Sequence, residues 1–140
     1  MRRFRSIAEI TLGVLYAIGA VHQLAFVLRD SEAFYEAMAA ASWISPATVF
    51  VEQALLPRST LVTLTVGVLE ASLAIAILSR GSAVRAALYV GGAFSVLGAI
   101  TGGPLETVGY GALAALHFWL GSHHGGSTTP EPDAASAGSE

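Results

Sequence analysis

One carboxylate, Glu70, stands near the middle of the stretch "LTVGVLEASLAIAIL", residues 64–78, which is otherwise almost pure hydrocarbon. An acid at the centre of a lipid-spanning helix costs about 2.5–3.5 kcal/mol on insertion scales, so it must face protein or water. A suitable face exists. Thr63, Gly67, Glu70 and Ala74 recur at helical spacing and make a stripe of small and polar groups on which a second helix can close. Two chemistries fit such an acid: a hydrogen bond that holds helices together, or proton handling and ligand binding. Both stay open at this level.

Other polar residues line up with it. Glu9, Tyr16 and Gln23 are spaced by seven and share one face of the first apolar segment, while Glu106, Tyr110 and His117 share one face of the last. If these segments run antiparallel, Glu9 and His117 fall near one boundary, Gln23 and Glu106 near the other, and Tyr16 close to the depth of Glu70. A shared interior would make them a polar column, although Glu9 and Glu106 could equally reach for water. His22 lies beside Gln23 but off that line; an imidazole there could exchange protons, bind a ligand, or bond an outer-loop carbonyl or carboxylate. His22 and His117 sit at opposite depths, so no metal site is expected. His123 and His124, in the polar segment after Leu120, are assigned no role.

Composition sets the surroundings of these groups. The 140 residues are 54% hydrophobic and 12% charged, with mean hydropathy +0.63. A single domain of this length has too little interior for several all-apolar segments, so lipid is the expected solvent. The absence of cysteine excludes disulfides, thiol redox chemistry and thiolate metal sites within the chain. A net charge of −3 offers no basic surface for nucleic acid. No serine, histidine and acid arrangement points to a hydrolase. The glycines of residues 91–103 lack the strand and lysine of a phosphate loop, and Gly91, Ser95, Gly98 and Gly102 read instead as a close-packing stripe within the bundle or between protomers.

Four apolar segments, 7–28, 60–78, 83–101 and 105–120, are expected to form an all-α, integral membrane four-helix bundle, residues 1–121. "MRRFRS" before the first, with Ala17-Ile18-Gly19 as a small-x-small site, imitates a secretory signal, but Glu9 interrupts its apolar run and "LAFVL" prolongs it. Arg2, Arg3 and Arg5 precede the first segment, and Arg80 and Arg85 bracket the turn between the second and third. The positive-inside rule then puts both termini in the cytoplasm, at the cell (inner) membrane. In the outer loop, 29–59, two short interfacial helices are expected, one capped by Asp30 or Ser31, the other capped by Ser45, opened by Pro46 and stopped by Pro57. Phe34, Tyr35, Trp43 and Phe50 suit an interfacial aromatic layer. Residues 122–140 read as a disordered cytoplasmic tail.

"LYAIGAVHQLAF", "SEAFYEAM" and "GVLEASLAIAILSRGSAVRAA" together resemble the DoxX-like family of small four-helix bacterial and archaeal membrane proteins. The pairs Gly19 with His22 and Gly67 with Glu70, and the Arg80 and Arg85 turn, carry the likeness. The resemblance implies a four-helix integral membrane protein, some of whose relatives are linked to quinone-dependent sulfur oxidation or to membrane complexes that manage oxidative stress. Three functions follow as alternatives. The chain is an accessory membrane subunit of a redox assembly in which Glu70, Tyr16 and His22 meet a quinone; or a small transporter or permeability factor; or a non-catalytic scaffold. Its expected partners are the lipid bilayer, a membrane protein complex and further copies of itself.

Overall fold

The computed structural model describes residues 2–124, which are all-helical and without strands. Four helices are long: α1 (Arg2–Ala25), α4 (Ser59–Leu78), α5 (Val84–Thr101) and α6 (Pro104–His123). Between α1 and α4 lie α2 (Ser31–Ala41) and α3 (Ser45–Phe50), joined by 3₁₀ turns and a π turn. Three helical stretches, containing α1, α4 and α5, are long and apolar enough to cross a membrane. The fourth expected span falls short, because Glu106, His117 and three glycines dilute the hydrocarbon of α6.

Several boundaries depart from expectation. Neither Asp30 nor Ser45 makes a capping bond. The Ser31 hydroxyl instead donates to Ser59 Oγ at 3.2 Å and lies 3.3 Å from Thr60 Oγ1, which fastens the start of α2 to the start of α4. Pro57 does not stop the chain from winding on; it opens the 3₁₀ turn Leu56–Arg58 that leads straight into α4. A proline is tolerated there because the first turn of a helix has no internal partner for its missing N–H. At the other end α6 runs past Leu120 to His123, so residues 122–124 belong to the bundle and not to a tail. The rest of the expected tail, 125–140, lies outside the described residues.

Packing is in two close pairs, α1 with α4 and α5 with α6. Small residues allow each approach. Leu24 and Gln23 of α1 fit over Gly67 of α4, and the Glu70 carboxylate fits over Gly19 of α1. On α5 the small-residue stripe faces α6 within the same chain, Gly98 against the Tyr110 ring and Gly102 against Glu106 Cβ. The pairs are joined at one end by an apolar core of Leu12, Leu73, Ile77, Val84, Leu88 and Leu120. At the opposite end Tyr35, Ala39 and Val51 form a second cluster beneath α2 and α3. Between these two plugs the pairs stand apart.

Candidate functional site

That gap is a cavity of about 480 Å³. Phe34 and Met38 of α2, Val66 of α4, and Phe94 and Leu97 of α5 give it apolar walls, while Gln23, Glu70, Thr101, Glu106 and Tyr110 supply polar groups. A smaller chamber of about 190 Å³ adjoins it, lined by Tyr16, Gly19, Ser95 and His117 among others. Glu70, Phe94 and Tyr110 line both spaces and so form the partition between them. Glycine at position 19 is what admits the acid: a methyl group there would stand 2.7 Å from Glu70 Oε1. Glu70 Oε2 and Gln23 Oε1 are both buried and make no hydrogen bond among the described residues. Neither lining includes Lys or Arg. Arg5 Nε, Ser42 Oγ and Thr63 Oγ1 are likewise buried and unbonded, but only Gln23 and Glu70 line the cavity, where water or a ligand can reach them.

The inner end of the small chamber is a fixed pair. Tyr16 Oη lies 2.9 Å from His117 Nε2, and His117 Nδ1 lies 2.7 Å from the Leu113 carbonyl oxygen. A carbonyl only accepts, so Nδ1 carries the hydrogen, and Nε2 of the neutral ring accepts from the Tyr16 hydroxyl. His117 is fully buried. Gly91 leaves the room for this contact, since a methyl group there would stand 2.5 Å from Tyr16 Oη and 2.8 Å from His117 Nε2.

The expected column is therefore interrupted. Below the Tyr16–His117 pair the buried Leu12 and Leu120 close the interior. Glu9 lies beyond that plug, its Oε1 3.1 Å from His124 Nδ1; the same nitrogen is 3.2 Å from Arg5 Nη2. One ring nitrogen serves either the carboxylate, as donor, or the guanidinium, as acceptor. Of the six residues singled out from sequence, Glu70, Tyr16, Tyr110 and His117 line the small chamber, and Gln23 lines the large one with Glu70 and Tyr110. His22 does neither: its ring is exposed and stacks on Phe26 at 5.8 Å.

Two aromatics also depart from the expected interfacial layer. Tyr35 is buried and Phe34 half-buried, and both face the large cavity, whereas Trp43 and Phe50 are exposed. The Trp43 indole donates to Thr107 Oγ1 at 3.1 Å, tying the α2–α3 connection to α6. Phe94, Leu97 and Gly19 were not distinguishable in the sequence as site residues, since nothing in their local spacing says which helix they will meet.

The fold thus defines an all-helical protein of four long helices with an acid-bearing cavity between two helix pairs. Compared with known proteins, the chain matches no family model, no curated protein and no solved structure.

Proposed function

We propose that this chain is a multi-pass membrane protein of the DoxX-like kind whose interior binds a small lipophilic ring compound of the quinone class, as an accessory subunit of a redox or oxidative-stress complex. The observation that carries the reading is the cavity itself: about 480 Å³, apolar-walled, and holding the unpaired Glu70 and Gln23 oxygens. Small-molecule sites are built this way, from a mostly apolar pocket with a few converging polar groups. The bilayer assignment rests on the outer surface. Ile7, Ile18, Val21, Leu61, Val68 and Ile75 are each at least 60% exposed, far more apolar surface than water tolerates in a monomer. In the proposed orientation both termini face the cytoplasm of the cell membrane, with α2 and α3 on the outer face. The break at Leu12 and Leu120 favours a closed binding site over a transport path.

The test is purification of the tagged chain from its native membranes in mild detergent, wild type beside Glu70→Gln, with mass spectrometry of every protein and lipophilic molecule that accompanies it. Quinone carried by the wild type and depleted in an equally folded variant is the expected result. The same partners and no quinone in both preparations would contradict it and leave Glu70 a packing residue.

A further inference from the structure

A further hollow lies on the outside of the molecule and shares no residue with the two chambers. It is a groove of about 900 Å³ between α1 and α4. Ala20 and Ala74 are buried in its floor, while Val21, Leu24, Ile75 and Leu78 stand along its sides, each at least 40% exposed. At one end the groove reaches Ser79, where α4 stops. Arg80 follows in left-handed backbone, φ 53°, which glycine adopts freely and a residue with a Cβ does not. Its Nη2 donates to Ser6 Oγ at 3.1 Å, so the guanidinium bridges α4 and α1 at that end. Arg3 stands 18 residues, or five turns, before Val21 and so shares the groove face of α1. Both arginines are exposed. Among the described residues the one ion pair is His124 with Glu9, so neither arginine meets a carboxylate.

Resting on the bilayer reading of this chain, though not on a ligand in the cavity, we propose that the α1–α4 groove binds an anionic phospholipid. Its phosphate pairs with Arg80 and Arg3, and one acyl chain lies over Ala20 and Ala74. Charge decides the occupant. Guanidinium groups bond phosphate oxygens in pairs, and the strongest of these bonds form where no carboxylate competes. A second copy of the chain fits the groove poorly: related by a two-fold axis along the membrane normal, it would bring its own Arg80 to the same depth, and like charges would meet across the contact. The groove is open along its length to the surrounding lipid, so its occupant exchanges with the bilayer and is diluted away in detergent, unlike a molecule enclosed in the cavity.

The experiment is photo-cross-linking of the full chain in phosphatidylcholine vesicles. The probes are a phosphatidylglycerol and a phosphatidylcholine with the same diazirine-bearing acyl chain, each at the same low mole fraction, and the labelled peptides are located by mass spectrometry. Peptides covering 17–25 and 71–79 are expected to take about twentyfold more label from the phosphatidylglycerol, at about fivefold for each arginine beside an anionic head group. Arg80→Gln should cut that ratio about fivefold, whereas Arg58→Gln, before the opposite end of α4, should leave it unchanged. Because the two probes are compared on the wild type, the result stands even if a variant does not fold. Equal labelling by both probes, or a ratio that survives Arg80→Gln, would overturn the anionic site. Labelling of the groove by neither would show that another protein chain covers it and would overturn the lipid as occupant. A chain that does not float with the vesicles in a density gradient would overturn the bilayer reading, and the lipid site with it.

Discussion

A hydroxyl shared with a buried imidazole is costly to remove from one side only. Tyr16→Phe leaves His117 Nε2 without its donor 2.9 Å away, and an orphaned buried acceptor costs about 1–3 kcal/mol. Reversible unfolding of the chain in mixed micelles should show that loss. A fall well below this range would mean that water replaces the hydroxyl in the small chamber. Gly19→Ala acts on the acid instead. Its methyl group meets Glu70 Oε1 at 2.7 Å, so the carboxylate must turn from its position between the chambers. Ligand retention is expected to fall as in Glu70→Gln, although Glu70 itself is intact; unchanged retention would show that the carboxylate does not need this position. At this scale the sequence was informative about Glu70, because a lone acid in hydrocarbon has to be used or paired. It was uninformative about Gly19 and Phe94, whose roles exist only once a second helix lies opposite.

The helices owe their positions to small residues on two faces. The stripe Thr63, Gly67, Glu70 and Ala74 could be read from spacing alone; α4 turns Gly67 and Glu70 toward α1, and Thr63 and Ala74 are buried. The glycine stripe of α5 was equally legible as a packing face, but which partner it meets, α6 in the same chain, follows only from the tertiary arrangement. Caps and ends were less legible. Ser31 satisfies a contact with α4 rather than its own helix end, and His123 continues α6 where a polar composition suggested a tail. Such competition between local and long-range bonds is decided after the helices pack. Leu120→Ala tests the plug that separates Tyr16–His117 from Glu9–His124: removing a fully buried leucine should cost about 2–5 kcal/mol. If the plug seals the interior, vesicles containing a folded Leu12→Ser, Leu120→Ser double variant should leak protons where the wild type does not. Equal tightness of both would show that the plug is not the barrier.

For the molecule as a whole, the absence of cysteine makes orientation directly measurable, since any introduced thiol is the only one present. In intact cells a membrane-impermeant thiol reagent should modify Ser45→Cys, between α2 and α3, and spare Ser82→Cys, in the α4–α5 turn, until the membrane is broken. The reverse pattern would invert the topology and place the cavity mouth beneath α2 on the cytoplasmic side. The arginine distribution supports the first outcome. Hydropathy made the four segments legible, but not the gap between two tight pairs, because a gap is a property of which faces fail to meet. The proposed function depends on that gap being occupied. The most direct test is native mass spectrometry of the intact chain released from its own membranes, wild type beside Glu70→Gln and beside Val66→Phe, which fills the cavity while keeping the acid. One bound lipophilic molecule is expected on the wild type and none on either variant. A wild-type chain released bare, or one whose adduct survives both substitutions, would contradict it.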